Sequence, residues 1–565
     1  MMKKLRWQLL VVLLALAAIA VLLIGQQPTR LPGVLAPSEA PAQGGVYTEA
    51  LIGSFNRLNP VLDYYNAADH DVDSLIYSGL MRFDGSGIPH GDLADSWGIS
   101  VDGTIYNFLI REGAVWHDGE PVTSEDVVFT VELMRDENIP MPPDLRAFWQ
   151  EVEVEAFDPQ TVSFKLPEAF APFMDYLTFA VLPEHLLGDL DPQALVDDPF
   201  NLQPVGSGPY RFERLLVENG EITGVVLNAF EDYYGGRPFI DQMVFRYYPD
   251  SAAALQAYKA GEVMGISRVS EDVLDEALKE PGLDVHTARL PNLTLVFLNL
   301  DNSRLSFFQE PEVRRALLMA INRPRIRDQI LNSQAIIADG PILPGTWAYY
   351  EELEHVEFDP NAAVNMLREA GFTFPAEGGN VRSREGSSLS FELVYPDSGD
   401  FPAIAEAIRS DWASIGVQAE LKPVSYESLL SDYLEPREYE AALVDINLAR
   451  SPDPDPYPFW HQTQKGSGQN YSGWDDRQAS EYLEQARVLD NLDERKKRYR
   501  NFQVRFTDQM PALPLFYPVY SYAIDQNVQG VRIGPLFDYS DRFATLTNWY
   551  LVSARSAQVP ATPQP

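Results

Sequence analysis

The stretch "SLSFELVY" (388–395) sets apolar side chains at alternate positions, Leu389, Phe391, Leu393 and Tyr395, which is the period of a strand with one buried face. "PDSGD" breaks the run. "FPAIAEAIRSDWASIG" then follows with helical spacing closed by Gly416, and "VQAELKPV" alternates again through Val417, Ala419 and Leu421. Strand, helix and strand in that order predict two parallel strands joined by a right-handed crossover. Ligands of such sheets sit in the crevice beyond the carboxyl ends of the strands, where "PDSGD" falls.

Other elements follow from the same patterning. In "PEVRRALLMAINRPRIRDQIL", Val313, Ala316, Leu317, Ala320 and Ile321 form one buried helical face; Pro311 suits the helix start and Pro324 a break into a second helix. Thr123 and Asp126 in "PVTSEDVVFTVELMRD" form an approximate capping box. "SVDGTIYNFLI" and "FDPQTVSFKL" carry hairpin-type turns between half-buried strands, so 81–199 reads as a smaller α+β insertion in a larger body. The acid–base run "LDNLDERKKRYRNFQVRF" reads as a solvated helix face with no binding role.

The N-terminus has a different pattern. Lys3, Lys4 and Arg6 precede an uncharged run from Trp7 to Gly25, near the ~20 residues that span a bilayer. The expectation is an uncleaved anchor at 1–25 with the rest of the chain outside the cytoplasm; a cleaved signal peptide is the other reading. Residues 26–44, rich in Pro, Ala and Gln, read as a flexible linker, and 553–565 as a disordered tail.

Composition narrows the chemistry. Lys and Arg number 43 against 82 Asp and Glu, a net charge of −39, which repels phosphate backbones and argues against nucleic acid as a partner. The absence of cysteine excludes disulfides, thiolate metal sites, a cysteine nucleophile and a lipid-modified cysteine tether. The seven histidines lack the short spacing of a zinc helix. No G-x-S-x-G elbow, Walker loop or complete calcium loop occurs, so no cofactor or metal is expected. A carboxylate pair of glycosidase type is not singled out.

Aromatic residues are abundant, with 9 Trp, 27 Tyr and 29 Phe. Several fall on "SPDPDPYPFWHQTQKGSGQNYSGW" (451–474), where alternating prolines forbid an ordinary helix or central strand. A rigid loop with Tyr457, Phe459, Trp460, Tyr471 and Trp474 reads as one wall of a ligand cleft.

Ordered stretches carry a family resemblance: "SFNRLNP" (54–60), "LIYSGLMRFD" (75–84), "LADSWGISVDGTIYNFLIREGAVWHDGEPVTSEDVVFT" (93–130), "VGSGPYRF" (205–212), "DYYGGRPFIDQMVFR" (232–246), "VRRALLMAIN" (313–322), "DPNAAVNMLREAGF" (359–372), and "PDPDPYPFW" followed by "GQNYSGW". From Gly45 to about Trp549 the chain resembles the extracellular solute-binding proteins of the peptide/nickel ABC-transporter class, the oligopeptide- and dipeptide-binding group of solute-binding family 5. The resemblance implies an α/β, two-lobed, hinged fold of the periplasmic-binding-protein type (class II, cluster C) with an extra α+β subdomain. Lobe I would combine 45–80, 200–285 and 520–552 with the inserted 81–199; lobe II would be 286–519. Crossings near 285–292 and 515–520 would act as the hinge.

The implied function is capture of a small solute, an oligopeptide or another small organic ligand, and delivery to ABC permease subunits, by a monomer that is not an enzyme. A secreted hydrolase of peptides or glycans and a membrane-tethered sensor are the competing readings. Peptide binders of this family usually carry an aspartate three residues before the Asp-Pro of this loop, to pair with the peptide amine. Here that position is Arg450, whose charge disfavours an ammonium group. The ligand-binding candidates are Arg450, Asp453, Trp460, Asn470, Tyr471 and Trp474, with Asn59 and Asn299 as weaker choices.

Overall fold

A computed structural model describes residues 41–449 and 451–552. Arg450, the apolar N-terminal segment, most of the linker and the C-terminal tail lie outside these residues. Among the described residues no helix is long and apolar enough to cross a membrane.

The strand–helix–strand unit forms as its spacing predicts. Ser390–Pro396 and Gln418–Val424 pair in parallel, with helix Phe401–Ser414 between them in sequence. Gly416 takes φ +83°, a left-handed conformation that a side chain resists, and so turns the chain out of the helix. Strand Ala441–Asn447 adds in parallel beside Ser390–Pro396, and Asn292–Leu298 pairs antiparallel with it. In Asn292–Leu298 the residues Val296 and Leu298 enter one core with Leu317, Ile408 and Trp412. Leu293, Leu295 and Phe297 enter another with Trp460, Trp474 and Phe506. A strand covered on both faces is a continuous apolar run rather than an alternating one.

Strand Ala512–Asp525 is the axis of the large sheet. Its first part pairs antiparallel with Asn292–Leu298, residues Phe516–Pro518 pair with Ala335–Ile337, and Val519–Asp525 pair with Leu283–Arg289. Pro514 stands at a register shift opposite Leu295, and Pro518 where the partner passes from Ala335–Ile337 to Leu283–Arg289; proline has no N–H to give a ladder and is tolerated at such irregular positions. Beyond the short strand Gly265–Ile266 the sheet continues through Val46–Ile52, Gln242–Tyr248, Glu221–Ala229 and Tyr210–Glu218, for twelve strands in all.

A separate four-stranded antiparallel sheet is made by Ala94–Ile99, Ile105–Ile110, Thr161–Lys165 and Glu153–Asp158. Helix Ser124–Arg135 beside it opens with the expected capping box, in which the Thr123 N–H donates to Asp126 Oδ2 at 2.7 Å. Trp149, Phe164 and Phe173 fill the interior. At the other end of the chain, Arg542 is fully enclosed and donates to both Glu49 and Asp71, tying the C-terminal turn to the first strand and to helix Ala67–Ile76.

The acid–base run does form a solvated helix face, and the same helix has a second, buried face. Helix Leu492–Gln509 is not solvated on all sides, because Arg495, Tyr499, Phe502, Gln503 and Phe506 are buried along one face.

Candidate functional site

Four prolines at 452, 454, 456 and 458 fix the backbone of the Pro-rich loop and remove every second N–H. Three amide donors remain between them, at Asp453, Asp455 and Tyr457, and the first two reach carboxylates. The Asp455 N–H donates to Asp453 Oδ1 at 3.1 Å. The Asp453 N–H donates at 2.6 Å to Oδ2 of Asp175, 278 residues earlier in the chain on the 3-10 helix Ala171–Thr178. The Ser451 hydroxyl reaches the same oxygen at 3.3 Å.

Two guanidiniums hold the loop from behind. Arg495 Nη1 lies 2.6 Å from Asp453 Oδ2, while its Nε donates to the Ala486 carbonyl. Arg487 meets Asp455 with Nε and Nη2 at 3.1 and 2.7 Å, packs over the Tyr457 ring at 3.8 Å and faces Phe170 at 5.2 Å. Burial opposes the charge on Arg495, but Asp453 and Tyr499 outweigh it and raise its pKa further. Asp175 is pushed well above the usual carboxylate range by burial and then by the adjacent Asp453.

The turn that follows Met81–Phe83 completes this seam. The Trp347 N–H donates to the Ser86 carbonyl at 2.8 Å. Gly87, at φ +78°, approaches the Pro452 carbonyl so closely that a Cβ would stand 2.7 Å from its oxygen. At the predicted crevice, Asp400 of "PDSGD" has its pKa raised by burial, and Glu271 is raised by burial and by the Asp400 charge.

Of the sequence candidates, Asp453 sits in the seam, while Arg450 lies outside the described residues. Trp460, Asn470, Tyr471 and Trp474 are brought together, but around a core instead of along an open wall. Trp460 packs on Phe297 and Phe506, with centroids at 5.9 and 4.8 Å, and Trp474 on Phe502 and Phe506. Asn470 is fully buried; its Nδ2 donates to the His461 and Trp474 carbonyls, and its Oδ1 accepts from Ser472 and the Trp474 N–H. Tyr471 is half-buried beneath Arg437 at 4.9 Å.

Asn59 is elsewhere, donating to Asn201 Oδ1 and accepting from the Val61 N–H. Asn299 donates to the Arg437 and Tyr439 carbonyls and borders a polar hollow of about 730 Å³ with Asp301, Arg304, Glu392 and Glu440. Sequence reasoning missed Asp175, Arg487 and Arg495. For Arg495 a signal existed, since Arg495, Tyr499, Phe502 and Phe506 recur at helical spacing. Among the described residues no group of three or more His, Asp or Glu could hold a metal ion.

Comparison with known proteins gives consistent matches. The family model for bacterial extracellular solute-binding proteins, family 5 (middle region), matches residues 89–469. The oligopeptide-binding protein AppA of Bacillus subtilis is 26% identical over 523 residues, covering 90% of this chain and 92% of that protein. The dipeptide-binding protein of Escherichia coli is 25% identical over 520 residues, covering 86% and 91%. The solved structure of AppA from Bacillus subtilis in complex with a nonapeptide superposes with a TM-score of 0.64 at 25% identity, covering 91% of this chain and 100% of that one.

Proposed function

The chain belongs to the bacterial extracellular solute-binding proteins of family 5, and from that premise we propose that it captures a peptide-like or other small organic solute between two lobes and delivers it unaltered to an ABC permease. The fold is the two-lobed, mixed α/β architecture of this family. The observation that carries the capture reading is strand Ala512–Asp525, whose two parts pair with different neighbours around residues 516–519. A sheet whose halves share one strand and a nearby crossing at 289–292 has few covalent paths to bend, which is what a hinge requires.

In this reading lobe I comprises 45–80, 200–285 and 520–552 and carries the 81–199 insertion, while lobe II is 286–519. The Pro-rich loop is pre-ordered, so closing it over a ligand adds little entropy cost. Closure also excludes water and strengthens hydrogen bonds to the ligand. The protein acts as a monomer outside the cytoplasm, held by residues 1–25, and turns nothing over.

Relatives that bind oligopeptides and dipeptides support a peptide-like ligand. Arg450 in place of an amine-pairing aspartate favours one with an exposed carboxylate or hydroxyls over one with a free ammonium group. Native mass spectrometry of the purified protein should reveal a co-purified solute that leaves with unchanged mass. Calorimetric titration should find weak affinity for free-amine dipeptides. Sub-micromolar dipeptide binding refutes the role given to Arg450, and chemical conversion of the solute refutes the transport reading.

A further inference from the structure

The seam between the insertion and the Pro-rich loop holds more acids than cations. Asp175, Asp453 and Asp455 face two guanidiniums. Arg495 pairs with Asp453 and Arg487 with Asp455, so Asp175 has no ion-pair partner among the described residues. The Arg495 charge also acts on Asp175, against the effect of burial, from beyond ion-pair distance; the remaining titratable neighbours do not change the count. Tyr176 adjoins Asp175 on its own turn, Tyr106 comes from strand Ile105–Ile110, and Tyr499 comes from helix Leu492–Gln509. Asp144 and Asp490 add only negative charge nearby. What Asp175 has instead is the Asp453 N–H on Oδ2, joined by the Ser451 hydroxyl, whose one hydrogen lies within reach of both Oδ2 and the Asp453 carbonyl. Oδ1 is left to carry a proton.

We propose that Asp175 is a proton-operated latch on lobe closure: the closed seam takes up one proton on this carboxyl, and the open seam releases it. The latch rests on the two-lobed capture reading, since it needs the insertion and the Pro-rich loop to separate. With the seam open, Asp175 faces water and titrates as an ordinary carboxylate near ~4. With the seam closed, burial and the Asp453 charge raise it. The closed form therefore binds more protons than the open form between pH ~4 and its own higher closed-state value, and within that window each unit of acidification favours closure about tenfold. An acidic milieu would hold cargo more firmly, and a neutral one would loosen the clamp.

The chain has no cysteine, so a donor–acceptor dye pair can be placed on Glu155→Cys and Glu369→Cys, both at exposed positions, and read by energy transfer in the full-length protein. Without added peptide, transfer efficiency should rise as pH falls from 8 to 5. Asp175→Asn keeps an acceptor for the same two donors but has no charge, so it should be closed across the whole range and pH-independent. Glu271 and Asp400 also titrate high, and the variant subtracts their contribution. A pH response that persists undiminished in Asp175→Asn overturns the latch. So does a flat wild-type titration, which decides the matter even if the variant does not fold. If a tryptone peptide pool closes the protein at pH 7 while pH does nothing, the latch is wrong and the capture reading stands. If neither peptides nor pH changes the distance, both fall.

Discussion

Arg495 and Asp453 stand 2.6 Å apart with only 6% and 7% of their side-chain surfaces in water. Removing one partner from such a pair leaves a buried charge without compensation. Arg495→Ala should therefore lower unfolding stability by about 3–5 kcal/mol. The double substitution Arg495→Ala with Asp453→Asn should recover part of that loss, because neither charge is then stranded. Denaturant midpoints for the four corners of this cycle measure the coupling. A single Arg495→Ala loss under ~1 kcal/mol would place the pair among surface ion pairs instead.

Gly206 in "VGSGPY" tests a close approach. A Cβ there would lie 1.9 Å from the Ile76 carbonyl oxygen and 2.7 Å from its carbon, so backbone would have to move. Gly206→Ala should cost about 1–3 kcal/mol or more, the range of overpacked sites. Gly98→Ala is the control, because no heavy atom lies within 4 Å of its Cβ position. It should change thermal stability little.

Local patterning made part of this fold legible. The strand–helix–strand unit at 390–424 and the capping box at Thr123 depend on residues a few positions apart, so spacing alone states them. The seam does not have that property. Asp175 meets Asp453 across 278 residues, and Arg542 reaches Asp71 and Glu49 across 471 and 493. No periodicity encodes such distances. The stiffness of the 451–458 loop was readable from its prolines, but the direction its aromatics take was not. That is decided by Phe297, Phe502 and Phe506, which arrive from a strand and a helix elsewhere in the chain.

His117 predicts a pH limit on stability. Burial lowers its pKa to about 4, and its ring nitrogens are occupied, with Nδ1 accepting from the Gly206 N–H and Nε2 donating to the Gly208 carbonyl. An unfolded histidine titrates near ~6.5. Between these values the unfolded chain binds the extra proton, so stability falls as pH drops from 6.5 toward 4, by up to about 3 kcal/mol. His117→Asn should flatten that part of the stability–pH curve, measured by denaturant unfolding at successive pH values. An unchanged slope would show that other groups set the acid limit.

Trp474 separates the two roles open to the Pro-rich segment. Its ring is buried against Phe502 and Phe506, and its backbone N–H and carbonyl are both engaged by Asn470. Those contacts are the ones a core residue makes. Trp474→Ala should cost about 3–5 kcal/mol, as large-to-small changes in cores do. Asn470→Ala strands buried groups and should cost about 1–3 kcal/mol. For both variants, titration of the folded protein at low temperature with whichever solute co-purifies should return an affinity within about threefold of wild type, since neither side chain has a free face to offer. A tenfold loss of affinity in Trp474→Ala without a matching loss of stability would mean that the ring leaves this core when ligand binds, and that the loop repacks on closure.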